Sequence, residues 1–251
     1  MEIIFFIFGA IIASFVGVLS GRLNTGQGFF TGRSRCDACD ATLPVFVLVP
    51  VLSFFFLHGR ANCCKARLSP ISPLVECVFG VLFVLSYLSL GLTLTLPFFL
   101  LSLSALLALV LYDLWHQILP TSLLVIFVAV SAATRLLMSS SPDAFYSSFV
   151  TALLIGTSLA LVHFLSRGKA MVLADAPLSF GLAFLAGQNA FSGFIFSFWI
   201  GAILGIAMLL RRPAGSRMGV EVPFAPYLAA GFLLAYFTQW NVFNLIEDLL
   251  L

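Results

Sequence analysis

Three acidic residues stand where acids are energetically unfavourable. Glu76, Asp113 and Asp175 lie at or inside the ends of long apolar runs. A carboxylate in hydrocarbon costs about 2.5–3.5 kcal/mol on insertion scales, so each calls for a reason. Asp113 closes the apolar part of LYDLWHQILP (111–120) at the C-terminal end of its helix, where the macrodipole disfavours negative charge. Asp175, in MVLADAPLSF (171–180), precedes a helix that Pro177 helps to start, where the dipole favours negative charge. Two carboxylates on one membrane face can act as a pair. One, ionised, activates water, and the other, protonated, polarises a peptide carbonyl. That is the chemistry of an aspartic endopeptidase. The opposed helix ends make Asp175 the expected base and Asp113 the expected acid. Each has a plainer reading: an N-cap for Asp175, and a carboxylate meeting headgroup water for Asp113. Glu76 falls in the first turn of its own helix, again at the favourable dipole end. His116 and His163 are candidate proton carriers, although a lone histidine near a helix end is most often interfacial.

The second chemical cluster is sulfur. SRCDACD (34–40) holds Cys36 and Cys39, and ANCCK (61–65) holds Cys63 and Cys64. Two cysteine pairs in one loop have the look of a zinc-ribbon tetrad with Cys36, Cys39, Cys63 and Cys64 as ligands. The first pair has ligand spacing, whereas adjacent cysteines reach one tetrahedral ion awkwardly. Asp37, Asp40 or His58 could then replace a thiolate. A structural zinc site and plain reduced thiols both stand, and a structural disulfide is not expected of a cytoplasmic loop. Cys77 reads as a small apolar residue of a span.

The elements that must carry these groups are membrane helices. Of 251 residues, 61% are hydrophobic and 9% charged. A soluble globule cannot hide that much apolar surface, whereas a lipid bilayer solvates it. A net charge of +2 gives no footprint for a nucleic-acid partner. Runs long enough to span occur at 3–20, 73–92, 95–112, 118–138, 145–165, 172–190, 191–210 and 222–243. The expected fold is therefore an all-α, polytopic membrane bundle of about eight transmembrane helices with a cysteine-containing cytoplasmic loop domain. The sixth run is the weakest, because Asp175, Pro177 and Gln188-Asn189 interrupt it. The domain reading is a first helix at 1–20, the loop domain at 21–72 and a seven-helix core at 73–251. Within the loop, the apolar stretch 45–57 is too short to span upright.

Charge sets the expected topology. With the N-terminus outside, eleven of the 12 Lys and Arg residues fall in cytoplasmic loops, Arg135 being the exception. Glu2 in place of a basic start, with Arg22 following, favours a retained first helix over a cleaved signal peptide. This topology puts Asp113 and Asp175 on the cytoplasmic face.

These residues together resemble the bacterial type IV prepilin leader peptidases, the membrane aspartic proteases with a Gly-x-Gly-Asp motif. The resemblance runs through Ser14 and Arg22, Ser34-Arg35-Cys36 with Cys39, VPVLSF (49–54), Gly59-Arg60 and ISPLVE (71–76). It continues through Asp113 with Pro120 and PFAPYLAAG (223–231), in order and over nearly the whole chain. It implies cleavage of the basic leader of type IV prepilins or pseudopilins at the cytoplasmic face of the bacterial inner membrane, with Asp113 and Asp175 catalytic. It also implies N-methylation of the new N-terminus with S-adenosylmethionine. Proteolysis itself needs no cofactor. The chain departs from the pattern at Val172-Leu173-Ala174-Asp175, where both motif glycines are replaced, and at Ala61, where the second Cys-x-x-Cys would begin. Two rival readings stand beside it. One is a non-catalytic relative that binds pilin-like helices, and the other is a proton- or cation-coupled transporter.

Overall fold

The computed structural model describes residues 1–23, 39, 41–42, 44, 50–168, 171–210 and 223–242. Among these the chain is helical: α1 (Glu2–Arg22), α2 (Leu52–Phe56), α3 (Ile71–Leu90), α4 (Thr95–His116), α5 (Thr121–Met138), α6 (Pro142–Leu165), α7 (Asp175–Ala186), α8 (Ala190–Leu210) and α9 (Ala225–Thr238). Among the described residues, six stretches are long and apolar enough to cross a membrane, the last being α7 and α8 joined through the 3-10 turn Gly187–Asn189. The residues exposed along them are mostly apolar, among them Ile3, Leu154 and Ile203. Lipid, not water, is the solvent that suits such a surface.

Two of the eight expected spans are shorter than the apolar windows that suggested them. The run at 172–190 resolves into α7, of 12 residues, and the run at 222–243 into α9, of 14. At about 1.5 Å per residue α7 is about 18 Å long, against about 30 Å of hydrocarbon. The break follows from Gly187, whose φ of +59 ends α7. A hydropathy window counts apolar residues but does not see such a turn.

The chain divides into two compact units, Met1–Leu92 and Thr93–Leu251. In the first, α1 packs against α3 at a close crossing where Gly9 faces Phe83 and Gly80 faces Phe6. A Cβ on Gly80 would come within 2.9 Å of the Phe6 carbonyl oxygen, which cannot swing aside. Glu76 is buried and accepts a hydrogen bond from the Val51 amide at 2.8 Å, holding a residue whose φ is +61. Its carboxylate thus anchors the chain leading into α2. The first-turn placement expected of Glu76 is corrected: it lies in the second turn of α3, past the reach of the end dipole.

In the second unit α7 is the centre. It packs against α5, α6, α8 and α9, and α9 also packs against α4. Nearly every α7 side chain is buried, from Asp175 and Leu178 to Phe184 and Ala186. A helix apolar on all sides belongs inside a bundle, and a short one can be enclosed along its whole length. α6 starts with Ser141, whose side chain accepts from the Ala144 amide, followed by Pro142 in the first turn.

Candidate active site

Asp113 sits one turn before the end of α4 and is 7% exposed; Asp175 is the first residue of α7 and 4% exposed. They are far apart in sequence, yet both are buried in the second unit, near enough for the charge of Asp113 to reach Asp175. The second unit thus brings together the two acids that the sequence marks as a pair.

Each carboxylate is held by one backbone amide. Asp113 Oδ2 accepts from the Ala225 N–H at 3.2 Å, in a buried contact. Ala225 is the first residue of α9, with Pro226 beside it in the first turn. The first amides of a helix have no partner within it and carry its positive dipole end. The dipole of α4 is therefore not the only one acting on Asp113, and the division of base and acid expected from single-helix dipoles loses its premise. Asp175 Oδ2 accepts from the Val172 N–H at 3.3 Å. Ala174 is the N-cap of α7, and the Asp175 carboxylate turns back along the chain instead of capping forward. The N-cap reading of Asp175 is thereby corrected: a cap would accept from an amide further into the helix.

The histidines separate. His116 lies against Tyr112 with ring centroids 4.4 Å apart. His163, near the end of α6, has its Nδ1 2.8 Å from the Met171 carbonyl oxygen, in the segment that leads to Asp175. Sequence reasoning weighed His163 only as a proton carrier and missed this contact, and it missed the Ala225 amide altogether. For the amide a signal existed: Pro226 inside PFAPYLAAG marks a helix start and hence unpaired amides.

In the first unit Cys39, Cys63 and Cys64 form a cluster whose sulfur atoms all lie within 4.8 Å of one another. Cys39 Sγ is 3.2 Å from Cys63 Sγ, well beyond a disulfide bond of about 2.05 Å. Cys36, Asp37 and Asp40 lie outside the described residues. His58 is not part of the group. Adjacent cysteines reach one point because they form the tip of a small hairpin. Arg60 pairs with Arg67, Ala61 N–H donates to the Ala66 carbonyl at 2.8 Å, and Lys65 takes a φ of +58. The awkward spacing of Cys63 and Cys64 in a straight chain is resolved by that turn.

Comparison with known proteins shows what the whole chain is similar to. Residues 7–90 match the family model described as the Bacterial Peptidase A24 N-terminal domain. The chain is 32% identical over 234 residues to the prepilin leader peptidase/N-methyltransferase of Bacillus subtilis (strain 168), covering 93% of this chain and 92% of that protein. It is 30% identical over 209 residues to the protein of the same name from Stutzerimonas stutzeri, covering 80% of this chain and 70% of that one. No solved structure matches the chain.

Proposed function

Because the chain belongs to the prepilin leader peptidase/N-methyltransferase family, we propose that it is a membrane aspartic endopeptidase that cuts the leader from prepilin-like substrates with Asp113 and Asp175. The observation that supports this use of the two acids most strongly is their burial in one unit, with the charge of Asp113 reaching Asp175. In the reaction, one carboxylate takes a proton from water as the oxygen attacks the scissile carbonyl carbon. The other gives its proton to the carbonyl oxygen. The tetrahedral diol then collapses, and a proton passes to the departing amine. The Ala225 and Val172 amides hold Oδ2 of each acid and so restrain both carboxylates.

The substrates are type IV prepilins or pseudopilins with a basic leader, met at the cytoplasmic face of the bacterial inner membrane. The segregation of Lys and Arg into alternate loops supports that orientation. Co-expression with a pilin-like protein carrying a basic leader before a Gly-Phe or Gly-Met junction tests the proposal. The expected result is a shortened substrate; an unchanged one beside correctly inserted protein would sink it. The second half of the relatives' name implies methyl transfer from S-adenosylmethionine to the new N-terminal amine. The mass of the mature N-terminus checks this: a monomethylated residue is expected, and a bare amine excludes it.

Zinc is the ion that fits the sulfur cluster. Thiolates at about 2.3 Å around a tetrahedral ion stand about 3.8 Å apart, a spacing compatible with the observed grouping. Cys39, Cys63 and Cys64 would hold it, with Cys36 as the proposed fourth ligand. The ion would cross-link the two ends of the loop, supplying structure and no step of the reaction. Metal analysis of the purified protein is expected to find zinc, lowered by Cys39→Ser and by Cys63→Ser. A wild type devoid of metal after mild purification ends the proposal.

A further inference from the structure

The segment before Asp175 carries side chains at Val172 and Ala174, and its peptide planes are fixed from α6. After Leu165 the chain turns through Arg167 and Gly168, with φ of +53 and +76, so that the Gly168 N–H donates back to the His163 carbonyl at 2.9 Å. The same histidine reaches forward with its side chain. Nδ1 lies 2.8 Å from the Met171 carbonyl oxygen, and because a carbonyl only accepts, Nδ1 carries the hydrogen. The N–H on the other end of that peptide belongs to Val172, and it donates to Asp175 Oδ2 at 3.3 Å. One planar peptide group, Met171–Val172, therefore has His163 on its oxygen and Asp175 on its nitrogen.

We propose that His163 is a positioning residue for Asp175, acting through the Met171–Val172 peptide. The inference rests on the reading of Asp175 as a catalytic carboxylate. A peptide is planar, so holding its oxygen also sets the direction of its N–H. Donation to the oxygen draws density from the nitrogen and strengthens the N–H as a donor, by about 10–30%. At 3.3 Å the bond to Asp175 is just longer than the usual range of about 2.7–3.2 Å, so a stronger donor has room to tighten it. Gly168 makes room for the arrangement: a Cβ there would stand 3.3 Å from the imidazole Cε1. Phe164 packs edge-on to the imidazole, with ring centroids 5.5 Å apart.

The test uses the full chain in detergent or nanodiscs with a leader-bearing prepilin-like substrate. His163→Phe keeps a ring but removes the donor, whereas His163→Asn places an amide N–H near the former Nδ1. A misplaced catalytic group costs up to about 100-fold, so His163→Phe is expected to lower kcat by about 10- to 100-fold. KM should stay within about twofold, since binding is not touched, and His163→Asn should recover most of the rate. A second readout is independent of activity. Met171-Val172 is the one Met-Val pair in the chain, so carbonyl-13C Met with 15N Val labels a single amide in the NMR spectrum. That Val172 proton is expected to move upfield in His163→Phe and to return toward its original position in His163→Asn. If His163→Phe cannot be recovered folded, His163→Gln gives the same contrast, because its longer amide misses the Nδ1 position. An unchanged kcat, an unmoved Val172 signal, or an asparagine no better than phenylalanine overturns the proposal. Should Asp175→Asn itself still cleave, the catalytic reading of Asp175 fails, while the Val172 signal still reports whether the link exists.

Discussion

Asp113→Asn and Asp175→Asn are each expected to abolish leader removal while leaving the protein folded in the membrane. Asparagine keeps a carbonyl oxygen where Oδ2 accepts from Ala225 or from Val172, so neither buried amide loses its partner. It is also neutral, which removes the penalty of a buried charge. What it cannot do is take a proton from water or give one to a peptide oxygen. Loss of positioned acid–base catalysis is worth about 10²–10⁴-fold, which takes cleavage below detection in most gel assays. Asp113→Leu makes the contrast. It leaves the buried Ala225 N–H without an acceptor, at about 1–3 kcal/mol, and should melt lower as well as being inactive. Co-expression with substrate reads the first effect and thermal melting in detergent the second. Substantial cleavage by either asparagine variant would remove that acid from the mechanism.

Gly231→Ala is expected to be among the most destabilising single substitutions in the chain. A Cβ there would overlap Ser197 of α8 at its amide nitrogen, its Cα and its hydroxyl oxygen. Two of those atoms are backbone, so no side-chain rotation relieves the overlap and the two helices must separate. Separation also breaks the buried bond from Ser197 Oγ to the Leu228 carbonyl, 3.2 Å long. Overpacking a core ordinarily costs about 1–3 kcal/mol, and because this overlap is with backbone a loss of about 4 kcal/mol is expected. Activity should fall with stability, because α9 carries the amide that holds Asp113. Gly205→Ala, also in α8, is the control: nothing lies within 4 Å of its Cβ position. There alanine gains helix propensity of about 1 kcal/mol at no steric cost. Equal melting of the two variants would show that the crossing is looser than its geometry.

Much of this site was legible before any fold was known, and the boundary is physical. Membrane residence, the six long apolar helices and the oddity of Asp113 and Asp175 follow from local composition, because partition into lipid acts residue by residue. The cysteine pairs are likewise a local signal. The family resemblance in VPVLSF, ISPLVE and PFAPYLAAG added the reaction.

Other features needed the tertiary structure. The length of α7 depended on a positive φ at Gly187, which a hydropathy window averages away. Cys63 and Cys64 converge only once the hairpin from Gly59 to Leu68 has closed. The base and acid assigned from single-helix dipoles lost their ground because α9, more than a hundred residues on, delivers an amide to Asp113. The proposal that the two acids act as a pair came from their types and helix ends. Their meeting, and the peptide amides that hold them, depend on which helix ends touch, and such contacts close long loops that leave no mark on the residues beside them.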